Sequence, residues 1–243
     1  MTASVLITGA SAGIGAAIAR AAATAGYHVG INYRSDADGA ATVRHAVEQA
    51  GQRAVLLPAD VTDPDAVSKA FDTHEAAFGP PTAVINNAGI VPPRSRTLAQ
   101  ATPDEIARVI AVNTTGALLV AREAARRMTS GTILNISSVA ARGGSAGEYV
   151  DYAASKGAVD TMTIGLAKEL APRGIRVLGI RPGVIETEIH AKGGRPDRAA
   201  EMADTIPMGR PGLPDEIAAV AIFLISPGAS YMTGTTIDVS GGR

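Results

Sequence analysis

Near the start of the chain stands Val5-Leu6-Ile7-Thr8-Gly9-Ala10-Ser11-Ala12-Gly13-Ile14-Gly15, and a helical run over residues 16–25 follows it directly. The first three residues are a short apolar, β-branched run of the kind that forms a buried strand, so the glycines fall on a strand-to-helix turn. In that context each glycine has a physical use. Gly9 can take a positive φ, Gly13 lets the backbone approach a ligand, and Gly15 lets helix and strand pack closely. The helix that begins here offers unpaired N–H groups, and these suit the pyrophosphate of a dinucleotide. Ser11 and Ile14 lie inside the same turn. The spacing is GxxxGxG rather than GxGxxG, and the alternative reading is a tight turn that uses glycine for packing alone.

Working outward, further β-rich runs occur at residues 27–33, 54–57, 83–86, 132–137, 176–180 and 235–239, with helix-like stretches between most of them. Strands and helices that alternate in this way predict an α/β protein, a parallel sheet covered by helices on both faces. Helix starts are marked at Thr62-Asp63-Pro64 and Thr102-Pro103-Asp104-Glu105, each with a cap candidate before a first-turn proline. A single long apolar helix is expected over residues 105–128. No repeat or polar linker interrupts the chain, which predicts one domain over residues 1–243. Residues 187–214, rich in Gly, Pro and charge, are long for a plain connection and are expected to form a substrate lid, with a disordered loop as the alternative.

Composition removes several function classes. With 22 Lys plus Arg against 23 Asp plus Glu, the net charge is −1, too balanced to concentrate the chain on a nucleic acid or a membrane surface. Cysteine is absent, so disulfides, zinc ribbons and thiol nucleophiles are excluded. No apolar run reaches the roughly 20 residues of a spanning helix, and no leader pattern opens the chain, so a cytoplasmic location is expected. The histidines His28, His45, His74 and His190 make no HExxH or paired pattern. No catalytic metal is expected, and these four are read as surface or partly buried residues without special roles.

The second strand ends in Asn32-Tyr33-Arg34-Ser35. A carboxylate at this place would hold an adenosine ribose 2′-hydroxyl and repel a 2′-phosphate, whereas Arg34 and Ser35 can bind that phosphate. NADP(H) is therefore preferred, NAD(H) being the alternative, since Asp36 and Asp38 lie close by and Arg34 could be a solvated surface residue. Further along, Tyr152 and Lys156 sit four residues apart at the start of a helical run, on one face. A nearby ammonium favours the phenolate, bringing the tyrosine toward use as a general acid or base. Ser137 and Ser138 end the fifth strand, where ligands bind in open α/β sheets, and either hydroxyl could polarise a carbonyl. Asn113 stands within the apolar helix, where an amide either caps a distortion or orders water.

Together these residues resemble the short-chain dehydrogenase/reductase family, in its short single-domain branch, from Val5 to Gly242. Thr8 to Gly15 is similar to the family's TGxxxGxG cofactor loop, Asp60-Val61 to its adenine contact, and Asn86-Asn87-Ala88-Gly89 to its NNAG segment. Asn113, Ser138, Tyr152 and Lys156 resemble its catalytic tetrad, Pro182-Gly183 with Ile185 and Thr187 its nicotinamide-side loop, and Thr233-Gly234 to Gly242 its C-terminal signature. The resemblance implies a Rossmann-type doubly wound sheet of seven parallel strands in the order 3-2-1-4-5-6-7, with hydride transfer between nicotinamide and a carbonyl or secondary alcohol. It assigns Tyr152 as proton donor, Ser138 as the hydrogen bond to the reacting oxygen, Lys156 as ribose contact and tyrosine activator, and Asn113 as holder of a relay water. Tyr152 and Lys156 thus also touch the cofactor, alongside Asn87, Ala88 and Gly89. It implies a small-molecule substrate and a homotetramer.

Within that frame a ketone or 3-oxoacyl substrate is expected, a sugar or polyol 1-dehydrogenase being the runner-up. A nicotinamide-binding sensor without turnover is the remaining class, and such a protein has little need for all four tetrad residues. Glu148, Tyr149, His190, Lys192 and Arg195 are candidate substrate contacts, with exposed loop side chains as the alternative reading.

Overall fold

The computed structural model of the chain describes residues 3–187 and 197–243. Seven strands, β1 (Ser4–Ile7), β2 (His28–Tyr33), β3 (Ala54–Pro58), β4 (Ala83–Asn86), β5 (Gly131–Ile136), β6 (Ile175–Pro182) and β7 (Thr236–Val239), make one sheet in the order β3-β2-β1-β4-β5-β6-β7. All neighbours run parallel, with Val5 of β1 opposite Val29 on one side and Ala83 on the other. This is the parallel sheet that the alternating pattern predicts, in the seven-stranded, doubly wound order that the resemblance implies.

The strands read as continuous apolar runs because successive side chains enter two different cores. Val5 and Ile7 pack with Ile18, Val43 and Ile217, which belong to α1 (Gly13–Thr24), α2 (Ala37–Gln49) and α9 (Pro214–Ile225). Leu6 faces the opposite way, toward Phe71, Val120 and Leu170 on α3 (Pro64–Phe78), α5 (Ala117–Arg127) and α7 (Val150–Leu170). The marked helix starts hold: Asp63 accepts from the N–H groups of Asp65 and Ala66, and Thr102 and Glu105 cap each other's backbone at the start of α4 (Pro103–Ile110). No helix among the described residues is long and apolar enough to cross a membrane.

One expected element changes. The helix over residues 105–128 is not uniform, because a π-helical turn at Ala111–Gly116 separates α4 from α5. That distortion carries Asn113, one of the two local readings of a buried amide in a helix. Of the expected lid at residues 187–214, residues 188–196 lie outside the described residues, and with them His190, Lys192 and Arg195. The described remainder forms short turns, α8 (Arg198–Glu201) and Ala203–Thr205, and a β-bridge from Gly212 to Ile185.

His74 corrects the reading of the histidines as surface or partly buried. Its side chain is fully buried on α3; Nε2 shares a 3.1 Å hydrogen bond with Ser4 Oγ, and Nδ1 faces Gly30 of β2 without a hydrogen-bond partner. A Cβ on Gly30 would sit 2.4 Å from Nδ1, so the strand glycine makes room for the ring. Burial drives the pKa of His74 from 6.5 down to about 4. The folded ring therefore stays neutral while the unfolded one takes up a proton below pH 6.5, so stability is full above that pH and falls until about pH 4. Chemical denaturation at pH 7 and pH 4 is expected to show that His74→Gln removes roughly 3 kcal/mol from the acid loss of the wild type. Equal acid losses in the two proteins would contradict a neutral buried ring.

Candidate active site

The turns leaving the carboxyl ends of the seven strands line a cavity of about 1460 Å³. Its first wall is the glycine turn. Ala12 precedes α1 in extended conformation, no side chain caps the helix, and no acidic residue stands in its first turn, so its N-terminus faces the cavity with a positive dipole end. Gly9 has φ +62°, and a Cβ on Gly15 would lie 2.4 Å from the Gly9 carbonyl oxygen. Both positions thus require glycine, one for backbone conformation and one for close approach.

Side chains from neighbouring strand ends hold this turn in place. Thr8 Oγ1 accepts from the backbone N–H groups of Asn87 and Ala88, each at 2.9 Å, and Asn87 Nδ2 donates back to the carbonyls of Thr8 and Gly9. Asn32, buried at the end of β2, accepts from Gly9 N–H and donates to the carbonyls of Leu57 and Ala59. In the sequence Asn32 shows only as part of a strand end. A buried amide in an otherwise apolar strand was the available signal of its bracing role.

Every residue expected to bind a cofactor lines the cavity except Gly15, whose place is between helix and strand: Gly9, Ser11, Gly13, Ile14, Arg34, Ser35, Asp60, Val61, Asn87, Ala88, Gly89, Pro182, Gly183, Ile185 and Thr187. A pyrophosphate fits this lining, since the glycine turn and the uncapped helix N-terminus offer backbone donors and no competing carboxylate. At the far end, Arg34 lies 3.9 Å from Asp60 in an exposed ion pair. The Thr62 backbone N–H and hydroxyl hold the Asp60 carboxyl below its usual range, with Arg34 adding to the effect. Asp36 lines the cavity at this end too, and its Oδ1 caps α2 by accepting from Gly39 N–H at 3.0 Å.

Ser138, Tyr152 and Lys156 meet in the same cavity. Ser137, also at its wall, is buried with its hydroxyl donating to the Lys156 carbonyl, while Ser138 is half-buried and accepts from Ala140 N–H at 3.1 Å. The two serines thus differ in what they already bind. Lys156 is buried; its Nζ donates to the Ile136 carbonyl at 2.9 Å and stands 5.9 Å from the centre of the Tyr152 ring. Burial lowers its pKa from 10.5 to about 8, with the Asp160 carboxylate on the next turn opposing the shift.

Asn113 does not line the cavity. Its Oδ1 accepts from Ile90 N–H at 2.8 Å, and its Nδ2 donates to the Ile90 carbonyl and to Ser155 Oγ. The amide therefore fastens the segment after β4, beside Gly89, to the π turn and to α7.

Some lining residues, Arg142, Met208 and Arg243 among them, had no signature in the sequence. Glu148 and Tyr149, both candidate substrate contacts, do line the cavity. Among the described residues no group of His, Asp and Glu could hold a metal ion.

The family model described as enoyl-(acyl carrier protein) reductase matches residues 9–243. The uncharacterized oxidoreductase YgfF of Escherichia coli (strain K12) is 46% identical, over 98% of this chain and 98% of its own length. The 3beta-hydroxysteroid dehydrogenase 1 of Eggerthella lenta is 42% identical, over 98% of this chain and 92% of its own. A solved short chain dehydrogenase from Burkholderia cenocepacia J2315 in complex with NADP superposes with a TM-score of 0.92 at 34% identity, covering 99% of this chain and 97% of that one. The chain belongs to the short-chain dehydrogenase/reductase family and is an NAD(P)-dependent oxidoreductase.

Proposed function

We propose that the protein is an NADP(H)-dependent reductase of ketone or 3-oxoacyl-type carbonyls. The observation that carries this reading is the meeting of Tyr152, Lys156 and Ser138 in one cavity with the glycine turn and Arg34. Bound there, the nicotinamide supplies the hydride. Tyr152 donates a proton to the carbonyl oxygen as negative charge develops on it, and the reverse reaction uses the same phenolate as base. Ser138, whose oxygen already accepts from Ala140, presents its proton to the same atom. The Lys156 ammonium stabilises the phenolate and holds the ribose. Asn113 keeps Gly89 and Ile90 in place beneath the cofactor through its three hydrogen bonds. On this reading the relay water is held at the π turn that carries Asn113.

Preference for NADP(H) rests on the charge balance around the end of β2. Asp36 is occupied with α2, and the Arg34–Asp60 pair is long and exposed, so Arg34 is held weakly enough to turn to a 2′-phosphate. Ser35 and the α2 N-terminus lie beside it. Apolar groups from Val91, Val139, Val184, Tyr149 and Met208 wall the substrate side and favour an apolar carbonyl compound over a sugar. The described part of residues 187–214 contributes Thr187 and Met208 to that wall, in keeping with a lid within a single domain. Half-exposed Leu118 on α5 and Ile164 on α7 present apolar surface suited to a homotetramer.

Loss of NADPH absorbance against a panel of ketones, 3-oxoacyl thioesters, quinones and aldoses tests the reading. Reduction of a ketone or thioester is expected, and Tyr152→Phe should lower kcat by at least about 100-fold with NADPH affinity nearly unchanged. An active Tyr152→Phe protein sinks the mechanism, and fast oxidation of sugars with no ketone reduced sinks the substrate class.

The cofactor preference has its own test. Arg34→Leu should weaken NADPH binding by roughly 10- to 100-fold, the loss of one charge-assisted hydrogen bond, while NADH binding stays within about twofold. Tighter binding of NADH than NADPH by the wild type would end the NADP(H) assignment. Light scattering at micromolar concentration should find a tetramer; a monomer would contradict it.

A further inference from the structure

Arg96 lies between β4 and α4, outside every motif considered above, and its side chain has no solvent exposure. Its NH1 and NH2 donate to the two carboxylate oxygens of Asp151 at 3.2 and 2.9 Å, and its Nε donates to Glu105 at 3.2 Å. Asp151 is equally buried and stands in the first turn of α7, immediately before Tyr152.

A second set of contacts runs beside the first. Arg96 N–H donates to the Glu148 carbonyl at 2.9 Å, and the Ser95 hydroxyl donates to the Tyr149 hydroxyl at 3.3 Å. The Tyr149 ring in turn meets the Tyr152 ring edge-on, with centres 6.3 Å apart. The segment after β4 thus reaches Tyr152 twice, through Asp151, its neighbour in the chain, and through the Tyr149 ring.

Stability does not account for this arrangement. Two ions removed from water regain little more than their desolvation cost, and apolar residues of the same volume would hold a core at least as well. A planar guanidinium on a carboxylate does fix direction, because two parallel hydrogen bonds leave neither group free to rotate. The first turn of α7 needs that fixing, since its N-cap residue Tyr149 makes no side-chain cap.

We propose that Arg96, through Asp151, is a positioning residue for Tyr152, holding the first turn of α7 so that the phenol stays aligned with Ser138 and Lys156. This rests on the acid–base reading of Tyr152 given above. Glu105 extends the clamp to α4, so the segment after β4, α4 and α7 move as one block around the reacting carbonyl.

The test compares the full chain with Arg96→Lys, Arg96→Met, Asp151→Asn and Tyr152→Phe. NADPH-dependent reduction of ethyl 3-oxobutanoate, NADPH affinity and amide hydrogen exchange of residues 148–156 are read on each. Misplacement of the phenol should lower kcat by about 100-fold in Arg96→Met and about tenfold in Arg96→Lys and Asp151→Asn, with NADPH affinity within about twofold of wild type. Exchange in residues 148–156 should quicken in all three while β1 and β4 are unchanged, and this arm needs no substrate. Arg96→Lys retains the buried charge and serves where Arg96→Met does not fold. Wild-type exchange in Arg96→Lys and Asp151→Asn, or wild-type kcat in both beside an inactive Tyr152→Phe, overturns the positioning role alone. A drop in NADPH affinity as large as the drop in kcat marks general loosening and overturns it too. Full turnover by Tyr152→Phe overturns the acid–base reading, and the positioning role with it.

Discussion

A parallel sheet sends all its strands out at one edge, and the last amides and carbonyls there have left the ladder without leaving the protein interior. Buried backbone groups must find partners, so this edge is where polar side chains enter an otherwise apolar fold. Thr8 takes two amides after β4, Asn87 returns to the β1 turn, Asn32 spans from β1 to β3, and Asn113 takes both backbone groups of Ile90. The cavity walls are largely main chain held by these few side chains. A cofactor that binds here meets a surface fixed before it arrives, and so less of its binding energy is spent on ordering the site.

Lys156 depends on the same edge. Its ammonium is buried, and the Ile136 carbonyl at the end of β5 is the acceptor that accompanies it. With a pKa of about 8 the group remains about nine-tenths charged at pH 7, so burial has made it responsive without neutralising it. In that buried setting its field on the phenol is less screened by water than on a surface helix. The Ser137 hydroxyl on the Lys156 carbonyl joins the start of α7 to β5, which distinguishes the work of Ser137 from that of its neighbour. Strand parity alone left the two serines undecided because adjacent residues at a strand end point to opposite faces. Only the fold says which face carries the cavity.

What could be read from the sequence was whatever repeats at short range. Strand boundaries fell within two residues throughout, because apolar runs, glycine turns and proline starts are local signals. Tyr152 and Lys156 were legible as a helical pair, and Arg34 by the missing acid beside it. The π turn was half legible: an amide in an apolar helix announced a disturbance, but the partner that stabilises it, Ile90, lies 23 residues away. Arg96 was not legible at all. An arginine among prolines and serines looks solvated, and nothing local shows that Asp151, 55 residues on, will close over it. His74 was missed for the same reason, since the space it fills is made by Gly30 of another strand.

The substrate side is the part most removed from such signals, and the reason is visible in β7. Among the described residues this strand pairs only with β6, so side chains add to its hold on the sheet. Asp238 provides it, accepting from Arg142 of α6 (Ala140–Gly143) and from Arg181 of β6, while Arg181 also holds Asp160 at 2.7 Å. Asp160 is the carboxylate that supports the charge of Lys156. The chain of ions therefore runs from α7, which carries Tyr152 and Lys156, to the last strand, and residues 240–243 extend from that strand into the cavity wall. Partly exposed pairs of this kind add little stability individually. Their joint effect is geometric: they tie the C-terminal segment, which lines the cavity, to α7, which carries Tyr152 and Lys156 into the same cavity.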